Sequence, residues 1–307
     1  MNRKILLTGA SGFIGSRLAR ALLQEGTSLR CLLRRPLPLP EGAETVIGDL
    51  LKPETLPAAM EGIDTAYYLV HSMAGGRSGF EVRDRAAAVN FTRAATSAGV
   101  RRVIYLGGLG DADGELSEHL KSRLEIGGIL GSANFATTFL RAAVIFGSGG
   151  SSFEIIHSLV KHLPIMITPR WVSTRCQPIA VDDVISYLVG CLHDERTAGN
   201  TFDIGGPEIL TYRDMMERFA AVEGRRLFII PVPVLTPKLS SYWIGFITPV
   251  KPSIAMPLIE GLSNEVICRD NRIRELLPFR LTPYNEAVKI ALAEEYGNLK
   301  AAELTTK

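Results

Sequence analysis

Cysteine is scarce in this chain of 307 residues. There are four, Cys31, Cys176, Cys191 and Cys268, with no CxxC pair and no histidine at metal-ligand spacing. That excludes a disulfide framework and a zinc or other metal site, and leaves four reduced packing residues. Charge of one sign is also lacking, since 34 basic and 32 acidic residues are scattered to a net +2. A nucleic-acid surface or an acidic tail is therefore not expected, and a small-molecule partner is. No run reaches the roughly 20 apolar residues of a membrane span. The N-terminal "MNRKILLTGAS" enters a strand pattern directly, without a secretory apolar region. A cytoplasmic protein is the expectation.

What is present is alternation. Short runs rich in Ile, Val, Leu and Tyr stand at 4–9, 28–34, 44–49, 65–71, 101–108 and 137–147, and helical patterns separate them. That order predicts βαβ units and a parallel sheet buried on both faces. In "GSRLARALLQEG", Leu18, Leu22 and Leu23 share a helical stripe that Gly26 ends. Beyond residue 150 the texture changes to clustered prolines, with strand-like runs near "TFDIGG" and "RLFIIPVP". The expected fold is therefore α/β, with a parallel sheet built largely from residues 1–150.

The first strand runs into "LLTGASGFIGSR", which places Gly9, Gly12 and Gly15 between a strand and a helix. Gly9 permits a sharp turn, Gly12 lets backbone approach a pyrophosphate, and Gly15 lets helix pack on sheet. The second strand ends in Arg34 and Arg35, about 20 residues on, where an NAD site carries a carboxylate for the ribose 2′-hydroxyl. Guanidinium groups match a 2′-phosphate, so NADP is expected, with NAD possible. The two arginines also suit a solvated strand end. Asp49 ends the third strand, where it would accept from the adenine amino group or cap a helix.

The TGxxGxxG spacing resembles the short-chain dehydrogenase/reductase superfamily in its extended and atypical branches. "FLRAAVIFGSG", "QPIAVDDVISYLVGCL" and "TFDIGGPEILTYRDMM" are similar to segments of the extended branch. "YYLVHSM", "LSEHLKSR", "SFEII" and "LPIMITPRWV" look like a bacterial atypical subgroup akin to NmrA-like proteins and complex I accessory subunits. The resemblance covers nearly all of residues 1–290, and it implies a doubly wound parallel Rossmann sheet with a small C-terminal substrate-binding lobe, residues 1–150 forming the nucleotide-binding core and 151–307 mostly the lobe, with 177–206 returning to the core. It implies a pyrophosphate lined by Gly9, Ser11, Gly12, Phe13, Ile14 and Gly15, with Arg34 and Arg35 on the 2′-phosphate. It further implies Asp49 and Leu50 at the adenine, Val70, His71 and Ser72 on the ribose side, and Leu106, Gly107, Ala142 and Ala143 near the nicotinamide.

The superfamily's Tyr-x-x-x-Lys pair is missing. Its place is taken by "HLKSR", with His119 for the tyrosine and Arg123 for the lysine, and Gly107 and Gly108 stand where a serine is expected. Residues four apart on a helix face the same way, so His119 and Arg123 form a pair, and Lys121 is a further candidate for cofactor contact. Three readings follow. In a reductase, His119 donates the proton that the phenol would give and Arg123 holds the ribose. In a sensor or accessory protein the nucleotide is bound without turnover. In a nucleotide-sugar epimerase the lost tyrosine would be harder to replace.

Trp171, Tyr242, Trp243 and Phe246 beside prolines suggest an apolar guest, or a core or self-association surface. Arg170 and Arg175 would meet an anionic substrate group or pair with Asp182 and Asp183. The prolines deny 229–250 a long amphipathic helix, so membrane contact is not expected. Oligomeric state is left open.

Overall fold

The computed structural model describes residues 3–71, 79–110, 118–168, 170–231 and 264–305. Seven strands form one sheet: β1 (Lys4–Thr8), β2 (Ser28–Leu33), β3 (Glu44–Ile47), β4 (Thr65–Tyr68), β5 (Arg102–Gly108), β6 (Ala136–Ala142) and a later strand, Thr201–Ile204. Their order is Thr201–Ile204, β6, β5, β4, β1, β2, β3, and all neighbours are parallel. This is the parallel sheet expected from the βαβ alternation, doubly wound as the resemblance implies. The strand order reverses between β1 and β4, and the crevice outside their carboxyl ends is where such sheets bind ligands.

Helices cover both faces. α1 (Phe13–Gln24), α2 (Leu56–Met60), α3 (Phe80–Ser97) and α4 (Glu118–Gly131) lie among the first six strands, and α5 (Ser151–His162) and α6 (Val181–His193) follow. Alternation along β1 divides the core: Ile5 and Leu7 pack with Leu18, Leu22, Val184 and Leu188, and Leu6 packs with Ala88, Phe91 and Ile126. α1 ends as its pattern predicts, since Gly26 takes the left-handed φ of +73° that a side chain resists.

Two expectations need correction. The 137–147 run is not one strand, because the chain leaves the sheet after Ala142 and forms β7 (Ile145–Phe146). β7 pairs instead with β10 (Ile179–Ala180). The third strand is not buried on both faces. As the sheet edge, β3 exposes Glu44, Thr45 and Ile47.

The remaining strands are β8 (Ile165–Thr168), β9 (Arg175–Cys176), β11 (Thr201–Ile204, the sheet's seventh), β12 (Leu210–Thr211) and β13 (Phe228–Pro231). With α7 (Tyr212–Val222), α8 (Arg272–Leu276) and α9 (Tyr284–Thr305) they make up the described part of the C-terminal half. A separate apolar cluster holds it, including Phe146, Phe153, Met166, Met215, Phe219, Ile229 and Val288. All four cysteines are free and buried. Among the described residues no helix is long and apolar enough to cross a membrane, and no cluster of side chains suits a metal ion.

Candidate functional site

Sterics define the turn after β1. Gly9 has φ +75°, and a Cβ there would lie 2.6 Å from the Leu69 carbonyl oxygen. At Gly15 a Cβ would stand 2.1 Å from the oxygen of Gly9, so both positions exclude every other residue. Gly12 differs: its Cβ would meet only Gly9 O, at 3.2 Å. The space before it is open, and a Cβ would fill it.

α1 begins at that point without a side-chain cap and without an acidic residue in its first turn. Gly12 N donates to Gly9 O and Ser16 N to Gly12 O, which leaves the N–H groups of Phe13, Ile14 and Gly15 without an acceptor inside the helix. A bare, positively polarised helix start facing an open glycine turn fits a diphosphate. Ser11 is exposed beside it. The Phe13 side chain points elsewhere, against Gly147 and Gly150 and beneath the Arg17 guanidinium.

Around this turn the other expected residues fall at several depths. Arg34 and Arg35 follow β2, the strand beside β1, and both are exposed without an ion pair or hydrogen bond among the described residues. Asp49 accepts from Leu51 N at 3.0 Å, which closes a local turn, while Leu50 is buried and its carbonyl accepts from Asn90. Val70 and His71 follow β4 at the switch point. Ser72 lies outside the described residues.

His71 is drawn into a buried polar cluster. Its Nδ1 lies 2.9 Å from Asp84 Oδ2, and the Asp84 carboxyl is buried, the residue being only 1% exposed. Burial, reinforced by the Arg123 charge, lowers the His71 pKa to about 4 against the opposing pull of Asp84. The ring is thus neutral near pH 7, and an ionised Asp84 makes Nδ1 the protonated nitrogen. Asp84 escaped the sequence reading, yet its signal was there. It shares the stripe of Phe80, Ala87, Ala88, Phe91 and Ala95 on α3, and a carboxylate on a core stripe calls for a partner.

Arg123 also turns inward. Its Nη1 donates to the Leu106 carbonyl at 3.2 Å, and the Tyr105 hydroxyl donates to the Arg123 carbonyl at 3.0 Å. Its Nε and the Ser122 hydroxyl are buried without a hydrogen bond among the described residues. Lys121 is exposed on α4. The backbone of His119 lies in that helix, one turn before Arg123, and its side chain is outside the described residues. Side chains of Arg170 and Trp171, and residues 242, 243 and 246, are outside them too. Arg175 pairs with Glu265 at 2.8 Å, and Asp183 accepts from Thr282, so the alternative pairing of Arg175 with Asp182 or Asp183 is not formed.

The missing serine has a steric reason. A Cβ at Gly107 would stand 2.5 Å from the Phe139 ring, and one at Gly108 would stand 2.8 Å from Leu120. Phe139 stacks on Tyr105, and a Cβ at Gly127 would also meet its ring, at 2.5 Å. Ala142 is buried next on β6, and Ala143 N donates to Ile204 O.

Residues 9–145 match the family described as NAD(P)H-binding. The match takes in the glycine turn and strands β2 to β6 of the sheet, somewhat under half of the chain. The whole fold has a counterpart among solved structures: Citrobacter sp. triphenylmethane reductase, complexed with NADP(H), superposes with a TM-score of 0.76 at 19% identity over 94% of this chain and 99% of that one. That likeness is one of fold, a doubly wound Rossmann-like sheet. By sequence, the NAD(P)H azoreductase of Xenophilus azovorans is 24% identical over 254 residues, 78% of this chain and 81% of that protein. The 3-beta-hydroxysteroid dehydrogenase of Mycolicibacterium neoaurum is 35% identical over 113 residues, which span 33% of this chain and only 31% of the steroid enzyme.

Proposed function

We propose that this NAD(P)H-binding protein is an NADPH-dependent reductase of an apolar, conjugated small molecule. The observation that carries the cofactor choice is the Arg34 and Arg35 pair. Two guanidinium groups with no partner among the described residues stand at the end of the strand beside the glycine turn, where a 2′-phosphate would give them charge-assisted hydrogen bonds. NADPH, when bound, supplies a hydride.

The substrate class follows from what the chain cannot place beside that hydride. Glycines stand at 107 and 108, where a Cβ at 107 would strike the Phe139 ring, and no tyrosine stands at 119. An isolated carbonyl relies on such donors to stabilise its developing oxyanion, whereas a conjugated acceptor spreads that charge through its own π system. The substrate then gains a hydride at one atom and a proton at another, and His119 is assigned the proton. Arg123, anchored to the Leu106 carbonyl, positions the end of β5. The names of the azoreductase and the triphenylmethane reductase support the same class.

The test is NADPH oxidation with quinones, azo dyes and triphenylmethane dyes, in the parent protein and in His119→Ala. The expected result is turnover that falls at least tenfold in the variant while NADPH affinity holds. Tight NADPH binding without oxidation of any acceptor would replace this reading with that of a nucleotide sensor. The inward turn of Arg123 gives that second reading its support.

A further inference from the structure

The C-terminal half carries a surface that the nucleotide site does not use. β8 and β13 form a two-stranded parallel sheet in which Phe228 stands beside Ile165 and Ile230 beside Ile167. Side chains alternate along each strand. Met166 and Ile229 turn inward to the C-terminal core, and the opposite face presents Ile165 (59% exposed), Ile167 (63%), Phe228 (61%) and Ile230 (51%). Four large apolar side chains in register on one face form a continuous patch, unlike single exposed residues scattered over a surface.

The edge of that patch is basic. Because the strands are parallel, their N-terminal ends lie side by side, and Phe228 N donates to Pro164 O at 2.9 Å. Lys161 and His162 close α5 just before β8, and Arg225 and Arg226 come just before β13; all four are exposed. Arg225 is paired with Glu223 at 3.4 Å, and the His162 ring binds the Ser158 carbonyl. Lys161 and Arg226 have no side-chain hydrogen bond or ion pair among the described residues.

We infer that this face docks on an anionic lipid surface, with Ile165, Ile167, Phe228 and Ile230 entering the acyl boundary and Lys161 and Arg226 meeting the headgroup phosphates. Charge complementarity selects this occupant. Unpaired cations beside exposed aliphatic and aromatic groups match a bilayer that is apolar inside and negative at its surface. A second copy of the same face would instead bring its own cations against these. The expectation against membrane contact concerned an amphipathic helix over 229–250, whereas here strands supply the apolar face. It stands independently of the proposed reduction.

Co-sedimentation of the full chain with phosphatidylcholine vesicles, with and without phosphatidylglycerol, tests the inference. The parent protein should sediment with the anionic vesicles and leave them as ionic strength rises. The double variant Ile167→Ser, Phe228→Ser and the double variant Lys161→Glu, Arg226→Glu should each lower that binding at least tenfold, with NADPH affinity unchanged. The charge variant removes no described contact, so it keeps the test valid if the apolar variant folds poorly. No preference for anionic vesicles, or equal binding by parent and charge variant, overturns the inference. So does a concentration-dependent dimer, seen by light scattering, that Phe228→Ser dissociates while vesicle binding is absent.

Discussion

Arg34 and Arg35 exemplify how much a single side chain is asked to do at this site. Both are exposed and neither is held by any described residue, so their removal should leave stability unchanged and act on the ligand alone. A hydrogen bond to a charged group contributes about 1.5–3 kcal/mol, which corresponds to roughly ten- to a hundredfold in affinity. Replacing both by alanine should therefore weaken NADPH by at least that factor and NADH by less than about threefold. Titration by nucleotide fluorescence reads both, and equal losses would remove the case for the phosphorylated cofactor. Gly107 poses the opposite problem, because a side chain there strikes an aromatic ring. Gly107→Ser should cost about 1–3 kcal/mol as Phe139 leaves its stack with Tyr105. A shift in the urea midpoint measures it, and an unshifted midpoint would mean that the ring gives way freely.

At the scale of elements, what could be read from the sequence was what local periodicity encodes. β1, the glycine turn and α1 follow one another within some twenty residues, and the strand run, the spaced glycines and the leucine stripe each state their part. The two misread strands failed for tertiary reasons. Nothing in the 137–147 run announces that Ala142 is its last sheet residue, because that depends on Ile179 arriving to pair with Ile145. Nor does "ETVI" announce an edge, since its exposure is set by the absence of a further neighbour. The His71 and Asp84 pair joins a strand end to a helix, and only the unexplained carboxylate on the α3 stripe hints at it. By contrast the start of α7 is wholly local. Thr211 and Asp214 exchange hydrogen bonds in a capping box, so Thr211→Ala should destabilise the protein by about 1 kcal/mol. Chemical denaturation checks that value, and no loss would show that the C-terminal cluster alone fixes this helix.

For the whole molecule, the buried histidine ties stability to pH. Unfolded, His71 titrates near the ordinary value of 6.5, and folded, near about 4. Between those values the unfolded chain binds more protons than the folded one, so stability rises with pH across that window. Above about 6.5 the ring is neutral in both states and its contribution is constant; below about 4 it is charged in both. The separation corresponds to an upper bound of roughly 3 kcal/mol lost on going from neutral pH to pH 4. Other groups titrate nearby: burial lowers His157 in the same sense, whereas burial raises the carboxyls of Glu154 and Asp183, which acts oppositely. They remain in a His71→Gln variant and cancel in its difference from the parent. The gap between the two unfolding free energies should therefore change steadily from pH 6.5 down to pH 4 in favour of the variant. Urea titrations across that range measure it, and a gap that stays flat would show that His71 is protonated in the fold, with Asp84 outweighing burial.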